Sequence, residues 1–165
     1  MNRRLLLSAL GSTLLLTACG FQLRQAPDYA FDSIYISAAN VALGNELRRS
    51  IATSDKVRVV GAAGPAGSAQ VVLEIVSDQR EKVVVGLNAS GQVREFQLRT
   101  RVKFRLRTAQ GKELLPETEL LQQRDISFNE SAALAKETEE NLLYRDMQTD
   151  IVQQLMRRLA AVKAL

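Results

Sequence analysis

Few side-chain types in this 165-residue sequence could do chemistry, and those that are missing exclude most reactions. There is one cysteine, Cys19, and no histidine. Without histidine the commonest general base, the commonest zinc ligand and every Ser-His triad are lost. Carboxylates remain. Glu117 and Glu119 share one face of an extended segment, near the ~5 Å separation that two cooperating carboxyl groups need, but no enclosing cleft is suggested around them. The stretch "GAAGPAGSA" (61–69) is no phosphate loop, because no Lys-Ser/Thr pair follows and no helix begins there. The reading is of a non-enzymatic protein with no metal site and no cofactor.

The chemistry left is charge. Arg99, Arg101, Lys103, Arg105 and Arg107 alternate with residues that include Leu98, Val102, Phe104 and Leu106, a period of two that marks a half-buried strand. A three-residue loop Gln110–Lys112, closed by Ala109 and Glu113, sets Arg105 opposite Glu117 and Lys103 opposite Glu119. The same register places Phe104 opposite Thr118 and Val102 opposite Leu120 on the apolar face, whereas a two-residue loop would mix the faces. Cross-strand ion pairs contribute at most about 1 kcal/mol each. Arg99, Arg101 and Arg107 are left without an obvious partner. The face reads either as a solvated, ion-paired surface or as one that meets phosphates through charge-assisted hydrogen bonds.

Cys19 has a different use. Arg3 and Arg4, an apolar run from Leu5 to Leu16, and the small residues Thr17 and Ala18 precede it in the order of a secretory signal peptide. Leu16-Thr17-Ala18-Cys19 resembles the lipobox of bacterial lipoproteins, which implies cleavage after residue 18 and a covalent N-acyl group and S-diacylglycerol on Cys19. A sulfur bonded to lipid also explains why an exported domain carries one thiol and no disulfide. Gly20, in place of aspartate, resembles the sorting signal for the outer membrane. The expected organisation is a signal peptide at 1–18, a lipid-anchored tether at 19–33 and a single domain at 34–165. With Arg3 and Arg4 removed, 22 basic residues fall to 20 against 18 acidic, a net charge of +2. Neither charge nor export suggests nucleic acid.

The elements that position these groups follow from periodicity. Ile34-Tyr35-Ile36 is a short strand. Asn40 caps a helix striped by Leu43, Leu47 and Ile51. Val57 to Val60 is a strand, and long strands run over 70–87 and 92–108, joined by the turn Asn88-Ala89-Ser90-Gly91. Another strand spans about 114–128, with Pro116 near its start or on an edge. A last helix from Ser131 to about Val162 turns Tyr144, Met147, Ile151, Leu155, Leu159 and Val162 inward. The order β-α-β-β-β-β-α predicts an α+β, two-layer sandwich with a mainly antiparallel sheet and both helices on its apolar face.

Three stretches resemble one family. Cys19-Gly20-Phe21-Gln22-Leu23-Arg24 is similar to the mature start of LptE, the LPS-assembly lipoprotein family. Residues 132–140 ("AALAKETEE") look like its entry to the last helix, and 153–159 ("QQLMRRL") like its ending. The resemblance implies a plug in a 1:1 complex with the outer-membrane β-barrel LptD, anchored by lipid in the outer membrane and assisting transport of lipopolysaccharide. It further implies that lipopolysaccharide meets basic residues near the central hairpin and at the start of the last helix, here Lys136. The hairpin Asn88-Ala89-Ser90-Gly91 itself has no basic residue and is the expected partner contact. The nearest cations are Arg94, and Arg80 or Lys82. Lys136, Arg94, Arg99, Arg101 and Arg107 are therefore the candidate lipopolysaccharide ligands. A solvated Lys136 paired with Glu140 is the bland alternative. The competing class is a free-standing envelope lipoprotein that binds a small ligand or cell-wall component.

Overall fold

The computed structural model describes residues 27–54, 56–61 and 64–165. The expected signal peptide and Cys19 lie outside these residues, as does the first part of the expected tether. From Tyr29 onward the chain is packed. Tyr29 and Phe31 stack with ring centroids 5.2 Å apart, and Phe31 is buried in the core. The Tyr29 hydroxyl donates to Met156 Sδ at 3.5 Å, and burial pushes its pKa up to about 12.

The elements are β1 (Ser33–Ser37), α1 (Val41–Ala52), β2 (Arg58–Val60), β3 (Val71–Leu87), β4 (Val93–Thr108), β5 (Glu113–Ser127) and α2 (Ala133–Ala160). They form one sheet of order β2-β1-β3-β4-β5. β1 is parallel to both β2 and β3, while β3, β4 and β5 are antiparallel. The reason is connectivity: a helix joins β1 to β2, which permits a parallel pair, whereas tight hairpins join the three long strands. The α+β, two-layer expectation holds, with parallel pairing confined to β1 and its two neighbours.

Both helices contribute to one hydrophobic core. Leu43, Leu47 and Ile51 of α1 meet Ile151, Leu155 and Leu159 of α2 over Ile34, Ile36, Leu73, Phe104 and Leu106. A smaller cluster of Leu98, Ile126, Tyr144 and Met147 sits under the first half of α2. Asn40 caps α1 as expected, its Oδ1 accepting from Ala42 N at 2.9 Å and Leu43 N at 3.2 Å. Its amide also donates to Asp78 of β3, which ties the helix start to the sheet. Asn40→Ala is expected to lower stability by about 1 kcal/mol through loss of the cap. Thermal unfolding checks this, and an unchanged midpoint would show that water replaces the amide at no cost.

Both long hairpins use three-residue loops ending in a glycine of positive φ. In the first, Gly91 (φ 78°) precedes Gln92, whose carbonyl accepts from Asn88 N at 2.9 Å. Asn88 Oδ1 braces the loop by accepting from Ser90 N and Gln92 N, both at 2.9 Å. In the second, Gly111 (φ 93°) ends the loop and Thr108 N donates to Lys112 O at 2.8 Å. The loop is therefore Ala109–Gly111, one residue earlier than the sequence reading placed it. The position that must turn left-handed is its last, and only the glycine accepts that φ without strain.

Even so, Lys103 does lie opposite Glu119, Phe104 opposite Thr118 and Val102 opposite Leu120. Two register shifts, between Phe104 and Leu106 and between Leu106 and Arg107, restore the alignment. The first falls at Pro116-Glu117, where proline has no N–H to give to the ladder and the strand bulges. The expected Arg105–Glu117 pair is lost there. Arg105 instead lies opposite Glu74 of β3 and donates to it twice, from Nε at 3.0 Å and Nη2 at 3.1 Å.

Candidate functional site

The expected ligands fall on two faces of the sheet. Thr100, Val102, Phe104 and Leu106 point into the core, so the intervening Arg99, Arg101 and Arg107 occupy the open face. All three have partners. Arg99 Nε donates to Gln97 at 2.8 Å, Arg101 pairs with Glu119 at 2.7 Å and Arg107 with Glu74 at 3.9 Å. Lys103 reaches Glu117 at 3.8 Å. The cations left unpaired in the sequence reading are thus stitched into a ladder, because diagonal neighbours on a twisted sheet come within reach of long side chains. Such half-exposed pairs add little stability.

Lys136 is on the other face. It enters a cleft of about 400 Å³ between the first turns of α2 and the far ends of β3, β4 and β5. Its Nζ donates to Glu139 at 2.8 Å and to Ser127 Oγ at 3.0 Å, so its partner is the i+3 carboxylate and not Glu140. Glu140 is taken by Lys82 from β3. Lys82 Nζ also stands 4.4 Å from the centre of the Phe96 ring, a cation–π contact. Phe96 packs edge-on against Phe128, with centroids 5.2 Å apart and planes at 78°. The result is a floor of Phe96, Phe128 and Ile126 beneath two ammonium groups and the carboxylates of Glu137 and Glu140.

Why Lys82 lies here is a matter of register. Val71, Leu73 and Ile75 face the core, so uninterrupted alternation would turn Lys82 to the open face. A shift between Ile75 and Ser77 inserts Val76 as a bulge, and from Asp78 to Val84 the even residues face the helices. Lys82 then lies opposite the buried Leu98. Periodicity could have carried Phe96 to the same face, two residues before Leu98; the aromatic floor was legible but not read. Arg94 is exposed just beside the cleft, where its carbonyl accepts from Phe128 N at 2.7 Å. Asn88, Ala89, Ser90 and Gly91 form the tip of the β3–β4 hairpin beyond the cleft.

This arrangement can bind an anion with an apolar portion. Both lysines are paired with partly exposed carboxylates, so a phosphate can displace the carboxylate at small cost and gain charge-assisted hydrogen bonds. The aromatic floor can take up hydrocarbon. Among the described residues no group of three His, Cys, Asp or Glu side chains could hold a metal ion. No described helix is long and apolar enough to cross a membrane.

The family model of lipopolysaccharide-assembly LptE proteins matches residues 31–159. The chain belongs to the LptE family. Its members' fold recurs in solved structures. A lipoprotein B from Nitrosomonas europaea is 39% identical, with a TM-score of 0.72 over 86% of this chain and 91% of that one. The rare lipoprotein B from Shewanella oneidensis is 25% identical, with a TM-score of 0.63 over 78% and 94% of the two chains. A minor lipoprotein from Acinetobacter baumannii, at 18% identity and a TM-score of 0.63, shares the fold over 81% and 94%. No curated protein matches the chain. In this LptE chain the match begins at the buried Phe31 and ends at the buried Leu159, so it spans the packed core from edge to edge.

Proposed function

We propose that this protein is a non-enzymatic, lipid-anchored subunit of the outer membrane. It plugs an LptD-like β-barrel, supports assembly of that barrel and contacts lipopolysaccharide on its way to the cell surface. The observation that carries this reading is the LptE family match across the whole packed domain. In this reading Cys19 bears the acyl groups and the hairpin tip at 88–91 reaches into the barrel. The lipid phosphates meet Lys136 and Lys82, with Arg94 at the rim. Arg99, Arg101 and Arg107, held in the ladder of the opposite face, are left to the barrel wall.

Purification through a C-terminal tag from the native envelope is expected to bring down one large β-barrel in equal amount. Photoreactive residues at 90, 94 and 136 are expected to crosslink to that barrel or to lipopolysaccharide. Recovery of the tagged protein as an isolated monomer, with no adduct at any of the three positions, would favour the free-standing lipoprotein instead.

A further inference from the structure

A second cationic cleft lies between the two helices, beside the first on the same face of the sheet. Arg49 of α1, Arg80 of β3 and Arg145 of α2 line a depression of about 640 Å³ together with Asn45, Glu46 and Gln148. Three guanidinium groups thus face a single carboxylate, and that carboxylate is already engaged. Glu46 accepts from Gln148 Nε2 at 2.6 Å and from Thr149 Oγ1 at 2.8 Å. Gln148 in turn accepts from Arg80 Nη2 at 2.9 Å, and the Arg80 guanidinium stands 5.3 Å from the centre of the Tyr144 ring. Arg80 is therefore fixed in place without a counter-charge. Arg49 and Arg145 have no acidic partner among the described residues, and the nearby Asp78 is turned to Asn40. The eight salt bridges among the described residues leave this spot as a local excess of positive charge.

The position of this cleft suggests what it meets. Arg49 lies in the last turn of α1, and just beyond that helix Lys56 holds Asp28 at 3.0 Å. Arg145 precedes Met156, the contact of Tyr29, by eleven residues along α2, about 16 Å at 1.5 Å per residue. Arg145 is thus about 16 Å along the helix from the point where the chain toward Cys19 leaves the packed domain, and Arg80 lies further along β3 from Val71, the partner of Ile34 at that end. Pro27 follows Cys19 by eight residues, a stretch that spans at most about 28 Å. A domain tethered that closely keeps the cleft within reach of the surface holding its anchor.

We infer that Arg49, Arg80 and Arg145 bind the phosphodiester of an anionic glycerophospholipid in the leaflet that holds the lipid anchor. Guanidinium groups bind phosphate oxygens through paired, planar hydrogen bonds, and three of them suit a singly charged diester whose glycerol remains in solvent. An acyl anchor together with a basic patch holds a domain in one orientation, which an anchor alone does not. The inference rests on the anchored reading above, but the site can be probed without relying on the anchor.

The mature protein, in micelles of a neutral detergent, is titrated with short-chain phosphatidylglycerol and followed by NMR of the arginine Nε–H signals. Signals of Arg49, Arg80 and Arg145 are expected to shift in a saturable way, while the same chain length of phosphatidylcholine leaves them unmoved. Arg49→Gln combined with Arg145→Gln is expected to weaken the effect at least about tenfold, a loss of about 1.4 kcal/mol. Both are exposed, so the variant should keep its fold, and its unchanged backbone spectrum verifies that. Lys163→Gln, at an exposed position that lines neither cleft, should leave the titration as it was. Equal response to both lipids, or a response to inorganic phosphate with none to phosphatidylglycerol, would overturn the inference. The mass of the N-terminal peptide tests acylation of Cys19 separately, and barrel co-purification tests the plug, so failure of either is distinguishable from failure here.

Discussion

Replacing Phe104 by alanine is expected to reduce the unfolding free energy by about 3–5 kcal/mol. The ring is completely buried and belongs to the core where both helices meet the sheet. Its strand neighbours Ile75 and Thr118 are held by the backbone ladder on either side, so they cannot move in to fill the void. The cost is then the lost transfer free energy plus most of the cavity term. A domain of this size has about 5–15 kcal/mol to lose, so the variant should be only marginally folded. Urea unfolding followed by circular dichroism checks this through a lower midpoint at unchanged slope. A loss below about 1 kcal/mol would mean that the helices collapse onto the sheet, and that the two-layer core is softer than its packing implies. Charge removal at Lys103 or Arg105, one residue away on the open face, should cost far less, since those side chains are roughly two-fifths exposed.

Reversing charge at Lys82 and Lys136 together is expected to abolish most lipopolysaccharide binding while leaving the fold intact. Each lysine can give a phosphate one charge-assisted hydrogen bond, about 1.5–3 kcal/mol. Losing both and adding repulsion should therefore weaken binding by well over about tenfold. Stability should change little, because both ion pairs are partly exposed. The comparison that gives the experiment its force is a triple change at Arg99, Arg101 and Arg107 to glutamine. These lie across the sheet from the cleft, and their loss should leave lipopolysaccharide binding within about twofold, a difference near 0.4 kcal/mol. Binding measured on the purified proteins with fluorescent lipopolysaccharide decides the matter. If the triple variant loses binding and the double variant keeps it, the lipid site is the open face and the cleft under α2 has another role.

Much of this was legible in the residues themselves. The alternation from Leu98 to Arg107 identified β4 and its buried face because a strand can place only every second side chain inside. Asn40 marked the start of α1, and the stripe from Tyr144 to Leu159 marked the buried side of α2, because an orphan N–H and a period of 3.6 each demand a specific residue type. Gly91 and Gly111 marked both turns, although the second loop begins one residue earlier than its composition suggested. The partners of the arginines were not legible. Arg101 and Glu119, or Arg105 and Glu74, meet only after three strands have been laid side by side.

By itself the sequence determined the class of the domain, its two helices and the lack of histidine, since these depend on local periodicity and on residue types present or missing. The tertiary structure alone decided which cations share a surface. The bulge at Val76 turns Lys82 from the open face to the helix face, and the bulge at Pro116 hands Arg105 from β5 to β3. A single inserted residue exchanges the two faces of a strand, and whether it bulges depends on how its neighbour's ladder closes. That closure is a property of strands far apart in the chain, and so the cleft beneath α2 exists only in the folded protein.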